Sequence, residues 1–477
     1  MTVGHGPEPL ALLPEILLLA GAVGGLLLGL WTPQHRQGRV AVVAVTALGG
    51  SAAAAAVGLA AGDRVVFSGT WTVDAVTGVV RLSVALASAA FVVLARSRFT
   101  GHPRETEVYV LGLLGAVGAN ALAAASDLLL LVAAYLLASV PLYALAGFTK
   151  DARGVEASLK YYLMGALTGV LMLVGVTALV LATGRTGYGE LAAGLAEAPR
   201  ALTAVGVLGL LAGVSFKAGA VPVHFWVPDV TAGTTPAVGA FLTTVPKVGA
   251  VAAAFRLLAE PFAGVPVDVA LVVALLAAAS MTLGNLAAFR QDDPLRLLAY
   301  SAISQVGYLL MVVAVAGRTD VAVPALTVYL LGYAVTNVGA FAAAAALPGA
   351  RTISDWATGV RHRPWVVVSL AVVLLGLVGT PPTAVFVGKV AVFTATGDGG
   401  LMWLVVLGAA NTVASLFYYL RWLAPAFRAV SEPPAPAPPG SPAGPDGLAA
   451  APAAVLHCSA AGAVVLGIAA GVVAALG

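Results

Sequence analysis

Fourteen apolar stretches, most of them 20 or more residues long, follow one another along this chain of 477 residues with short polar connections between them. A hydrocarbon layer about 30 Å thick is crossed by roughly 20 helical residues at 1.5 Å rise each. Read on that ruler, the spans fall at 10–31, 40–61, 75–95, 108–126, 127–148, 156–183 and 202–228, then at 236–258, 266–288, 297–316, 321–347, 365–395, 401–427 and 451–476. Asp, Glu, Lys and Arg make up only 9% of the residues, whereas a soluble domain carries about a quarter. So few charges cannot cover a water-facing surface. The expected fold class is an all-α polytopic membrane protein of about 14 transmembrane helices.

Several function classes drop out early. A net charge of +3 gives no nucleic-acid footprint, and Cys458 is the one cysteine, so no intrachain disulfide and no cysteine-held iron–sulfur or metal site can form. No strand pattern is evident, and no dinucleotide-type glycine pattern follows a strand. If redox chemistry is involved, other chains carry it. The first apolar run has Glu8 and Glu15 where a secretory signal has a basic stretch, and it is long enough to cross. It reads as the first span.

Loop arginines and lysines set the orientation. Alternate connections hold Arg36 and Arg39; Arg96, Arg98 and Arg104; Lys150, Arg153 and Lys160; Arg290 and Arg296; Arg351, Arg361 and Arg363; then Arg421 and Arg428. The other set offers Arg64, Arg185, Arg200 and Arg318, with Arg256 near a span end. The basic set is expected in the cytoplasm, which puts both termini outside a bacterial inner membrane. Residues 431–452 are rich in Pro, Ala and Gly and read as a cytoplasmic linker.

Prolines interrupt two spans: Pro222 and Pro228 in the seventh, Pro381 and Pro382 in the twelfth. Non-helical backbone at membrane depth survives only where protein or a hydrated cavity satisfies it. The two breaks lie five spans apart, and an odd number of spans per unit inverts the second copy, the plan of many transporters. The expected organisation is spans 1–3 (residues 1–107), a first five-span unit of spans 4–8 (108–260), an inverted second unit of spans 9–13 (261–430), the linker (431–452) and span 14 (453–477).

Of five lysines in the chain, Lys217, Lys247 and Lys389 lie inside spans. A charge at the bilayer centre costs about 2.5–3.5 kcal/mol on insertion scales, so these three are expected on a polar axis inside the bundle, not facing lipid. Lysine can take up and release a proton when buried, which arginine cannot. A snorkelling lysine belongs at a helix end, not the middle. His224, two residues after Pro222, can relay protons or simply satisfy a carbonyl freed by the break. His457 and Cys458 carry no partner pattern and read as packing residues.

These residues sit in segments that resemble one family. SLKYYLMGA (158–166), FKAGAVPVHFWVPDV (216–230), LRLLAYSAISQVGY (295–308) and TPPTAVFVGK (380–389) are similar to signature segments of the antiporter-like subunits of respiratory complex I. VPDVTAGTTPAVGAFLTTVPK resembles subunit N of NADH:quinone oxidoreductase more than its relatives L and M or the multi-subunit sodium/proton antiporters. The similarity runs from LLPEILLL (12–19) to the thirteenth span. It implies a proton-translocating membrane-arm subunit without a redox centre, with FMN and iron–sulfur clusters in partner subunits and NADH and quinone handled by the whole complex. It further implies a proton relay at Lys217 and Lys247, a gate at Lys389 and a helix-break histidine at His224.

One position departs from the family. Its fifth-span glutamate falls here, in DLLLLVAAYLLASVP, on Leu136. No other carboxylate lies mid-span; Asp127 is about 13 Å along the helix from position 136. Lys217 then lacks an acidic counter-charge unless Tyr135 or another polar group substitutes. Three readings follow: a working proton-pumping subunit, a structural or silent paralogue of the membrane arm, or a cation/proton antiporter subunit outside complex I.

Overall fold

The computed structural model describes residues 2–3, 8–265, 267–431 and 448–476. The helices are α1 (Leu13–Trp31), α2 (Gly38–Ala60), α3 (Ala75–Phe99), α4 (Glu105–Ala124), α5 (Leu128–Leu137), α6 (Val140–Ala146) and α7 (Ala152–Thr183). Next come α8 (Tyr188–Leu195), α9 (Arg200–Ala218), α10 (Trp226–Gly233), α11 (Pro236–Ala259), α12 (Val269–Ala288) and α13 (Pro294–Val313). The chain closes with α14 (Ala322–Ala346), α15 (Ile353–Gly359), α16 (Pro364–Val378), α17 (Ala384–Asp398), α18 (Met402–Ser431) and α19 (Ala450–Leu476). Thirteen segments are long and apolar enough to cross a membrane, with α5 and α6 counted as one, and the shorter apolar α16 adds the first half of another. All fourteen expected spans are therefore present as helices. The linker expected at 431–452 falls mostly on 432–447, outside the described residues.

Aspartates start many of these helices. Asp74, Asp127, Asp151, Asp268 and Asp293 are N-caps of α3, α5, α7, α12 and α13, each accepting from a first-turn backbone N–H. That occupies the donors a helix N-terminus leaves unpaired, and it accounts for Asp127 without a role in proton transfer.

Two breaks match the sequence expectation and one was not foreseen. The seventh span is α9 and α10, separated at Gly219, which takes a left-handed conformation (φ 77°). The twelfth is α16 and α17, separated at Gly379 (φ 90°). Pro222, Pro381 and Pro382 lie in these breaks, whereas Pro228 sits in the first turn of α10, where its missing N–H costs nothing. The fifth span is not continuous as expected: it stops at Leu137 and restarts at Val140, with Pro141 in the first turn of α6. In that first turn the proline's missing N–H has no intrahelical partner to lose, and the interruption precedes it.

A second correction concerns strands. β1 (Thr2–Val3) pairs in parallel with β2 (Arg64–Val66), which forms a hairpin with β3 (Trp71–Val73). Strands of two or three residues are too short for alternation to register in sequence. Small residues let the helices touch. A Cβ on Gly209 of α9 would strike the Leu171 carbonyl of α7, and one on Gly307 of α13 would strike the backbone of α12 at Met281. Close backbone approach of this kind is how membrane helices pack without a hydrophobic drive. α11 is buried along its whole length, and α4, α13 and α14 are mostly buried, so they form the centre. α7 turns Leu163, Leu167, Val170 and Val174 outward.

Candidate functional site

The centre of the bundle holds the three intramembrane lysines, each almost fully buried. Lys217 lies two residues before Gly219. Its Nζ donates to the Ala138 carbonyl at 3.1 Å and the Ser139 Oγ at 2.5 Å. Both acceptors belong to the interruption between α5 and α6, so the unforeseen break is the binding place of this amine. The rings of Tyr135, Tyr161 and Tyr143 surround it at 5.0, 5.8 and 6.0 Å. Aromatic faces attract a cation within about 6 Å.

Lys247 follows Pro246 inside α11 and donates to the Ala302 carbonyl of α13 at 2.9 Å. Its Nζ also lies against Gly219, so it borders the same break that Lys217 approaches from the other side. Lys389, in α17, donates to the Val378 carbonyl at the end of α16 at 2.8 Å and stands 3.9 Å above the Tyr308 ring. The last carbonyls of a helix are unpaired and carry partial negative charge, so an ammonium at that point is stabilised.

α13 connects Lys247 to Lys389. Ala302 receives Lys247, Gln305 donates to the Leu377 carbonyl at 2.8 Å beside the Lys389 contact, and Tyr308 underlies Lys389. Tyr329 of α14 donates to Gln305 at 2.5 Å. The two α13 residues that meet these amines, Ala302 and Tyr308, lie about 9 Å apart along the helix axis. Nearby, Asn337 of α14 donates to the hydroxyls of Thr243 and Thr244, one turn before Lys247. Sequence reasoning missed Gln305 and Tyr308. The available signal was polar residues recurring at 301, 304, 305 and 308, one helical face within an apolar span.

His224 is buried in the seventh-span break beside Phe225, ring centroids 4.5 Å apart, and its Nδ1 has no hydrogen-bond partner among the described residues. None of the hydrogen bonds of the described residues joins it to a lysine. Leu136 occupies the last turn of α5 with 51% of its surface exposed, directed away from the bundle, while its neighbour Tyr135 covers Lys217. Tyr135 places its hydroxyl 3.2 Å from the Thr168 hydroxyl. His457 shares a 2.7 Å hydrogen bond with Ser369, and Cys458 is exposed.

On the face carrying the basic loops, Asp229 of α10 bridges Lys160 of α7 at 2.8 Å and Arg296 of α13 at 3.1 Å. A cleft of about 290 Å³ opens between Arg153, Glu156, Asp229 and Asp293. The second half of the broken span is thereby tied to two other spans. Among the described residues no cluster of His, Cys, Asp or Glu could hold a metal ion.

Interrupted spans with buried lysines set against them define a class: an antiporter-like membrane subunit. Residues 125–415 match the family model described as "NADH:quinone oxidoreductase/Mrp antiporter, TM". The chain is 54% identical to NADH-quinone oxidoreductase subunit N 1 of Streptomyces griseus over 90% of each chain. It is 47% identical to subunit N of Mycobacterium sp. (strain JLS), over 88% of this chain and 89% of that one. In structure it resembles a chain of respiratory complex I from Thermus thermophilus, at 32% identity and a TM-score of 0.79, over 96% of this chain and 98% of that one. A chain of the Mrp complex of Dietzia sp. shares the fold at 22% identity and a TM-score of 0.82, over 97% and 95% of the two chains. The chain belongs to the subunit N family of NADH-quinone oxidoreductase.

Proposed function

We propose that this chain is a membrane-arm subunit of a proton-translocating NADH:quinone oxidoreductase. Quinone reduction elsewhere in the complex drives proton transfer through Lys217, Lys247 and Lys389, with His224 at the break. The chain itself carries no redox centre; FMN and iron–sulfur clusters belong to partner subunits. The basic-loop face is cytoplasmic and both termini lie outside, in a bacterial cell membrane. Spans 4–8 and 9–13 act as two inverted units, with the seventh and twelfth spans as their matching broken spans.

The observation that carries this reading is the placement of three buried amines in the bundle centre, Lys247 and Lys389 joined through α13 and Lys217 held at the fifth-span interruption. Among the described residues none has a carboxylate partner: Lys217 is held by a carbonyl, a hydroxyl and ring faces, Lys247 by a carbonyl, and Lys389 by a carbonyl and a ring face, which leaves each free to give up a proton. Leu136 supports a second reading, in which the chain assembles the membrane arm but conducts poorly. Replacing Lys217 with alanine in the assembled complex separates them. Turnover-linked proton uptake is expected to fall severalfold, and uptake equal to that of the parent complex would establish the silent reading.

A further inference from the structure

Away from the lysines, an apolar groove of about 530 Å³ opens on the flank of the bundle between α2, α3 and the first turn of α19. Val42, Val45, Val93 and Ala451 line it, and the three valines are exposed. α2 and α19 begin at the basic-loop face and α3 ends there. Positions 39 to 46 of α2 cover about 10 Å, so the groove lies at the outer depth of the layer, where lipid headgroups meet their chains. Arg96 and Thr100 of α3 close its basic-loop end. A Cβ on Gly38 would stand 3.8 Å from the Arg96 guanidinium, so Arg96 reaches the first turn of α2, next to Arg39. Both arginines are exposed, and among the described residues neither guanidinium donates a hydrogen bond or joins an ion pair. The neighbouring Glu105 is engaged elsewhere: its carboxylate accepts from the Gly101 N–H and the Tyr109 hydroxyl, both at 2.9 Å.

Such a groove accepts a hydrocarbon chain, and basic pockets between transmembrane helices bind anionic lipid headgroups. The chain's own linker cannot fill it: EPPAPAPPGSPAGPDG (432–447) contains no Leu, Ile, Val, Met or aromatic residue. A second groove, of about 410 Å³ between α14, α17 and α19, is also apolar but has no basic residue in its lining. Charge therefore sets the first groove apart. We propose that the groove between α2, α3 and α19 is a binding site for one anionic phospholipid. An acyl chain lies along Val42, Val45 and Val93, and the phosphate sits at Arg96 with Arg39 adjacent. The phosphate oxygens accept from guanidinium N–H groups, whose fork geometry matches them. A lipid seated here bridges the second and third spans to the last. Neither arginine takes part in the proton transfer proposed above.

The test uses the whole complex in phosphatidylcholine vesicles carrying one of two probes, phosphatidylglycerol or phosphatidylcholine, each with a photoreactive diazirine on one acyl chain. Labelled peptides are read by mass spectrometry. Peptides carrying Val42, Val45 and Val93 are expected to take phosphatidylglycerol about fivefold more than phosphatidylcholine, the effect of roughly one basic residue beside an anionic headgroup. The groove between α14, α17 and α19 is expected to show no such preference. Equal labelling of the first groove by the two probes would overturn the site. Labelling by neither would also overturn it, because protein then covers the groove. Arg96→Gln is expected to bring the two probes level, and Arg96→Lys to keep part of the preference. A preference unchanged in Arg96→Gln would overturn the seating of the phosphate. If Arg96→Gln does not assemble, the comparison of probes in the parent complex still decides. These readouts are independent of proton uptake, so a silent chain would label in the same way.

Discussion

Two buried arginines hold the bundle from the face opposite the basic loops. Arg81 of α3 makes a bidentate pair with Glu15 of α1 at 2.7 and 2.8 Å and also reaches the Ala11 carbonyl. Arg256 of α11 joins Asp74 and Thr77 of α3 to the Ala123 carbonyl of α4. Removing one partner of a buried pair leaves a charge with nothing to balance it. Arg81→Leu is expected to destabilise the chain by about 3–5 kcal/mol, read as loss of assembled complex on native gels, with partial recovery in the double variant Arg81→Leu, Glu15→Leu. At the centre the charge must move. Lys389→Arg keeps a cation over Tyr308 but fixes its proton; proton uptake is expected to drop severalfold while the complex still assembles. The intramembrane lysines were legible in sequence because a charge in an apolar span is rare. Gln305 and Tyr308 were missed, since neutral polar residues are common in spans and their shared helical face gains meaning only when the fold sets it beside Lys389.

At the scale of elements, the broken spans carry the design. The sequence marked both breaks through prolines, which remove a hydrogen bond from the interior of a helix. It did not place the interruption of the fifth span, where Pro141 sits in the first turn of the following helix and Ala138 and Ser139 carry no turn signature. Nor could it pair β1 with β2, which are about 60 residues apart in sequence. α19, outside both proposed units, packs against the twelfth-span break. A Cβ on Gly467 would overlap the Pro382 carbonyl and the backbone of Thr383. Gly467→Val is therefore expected to cost about 1–3 kcal/mol by overpacking and to lower proton uptake more than a lipid-facing control such as Ile468→Ala. Equal effects from the two would show that α19 does not position the break.

For the whole molecule, the question is what lies beside it. Leu136 points out of the bundle, one residue from the Tyr135 that covers Lys217. A carboxylate at 136 would therefore stand at the rim, facing whatever flanks the chain in the membrane, with Lys217 close behind. Leu136→Glu is expected to raise turnover-linked proton uptake by the assembled complex. Unchanged uptake would show that the leucine is not what limits it.

All three intramembrane amines rest on main-chain oxygens: Ala138, Ala302 and Val378. A main-chain oxygen survives any side-chain substitution at its own residue. The resting places of the proton are thus written in the course of the chain and not in the identity of the contacting residue, so single substitutions at 138, 302 or 378 leave the acceptors in place. To erase one, the chain must be re-routed, which for Lys217 and Lys389 means straightening a helix that now stops short.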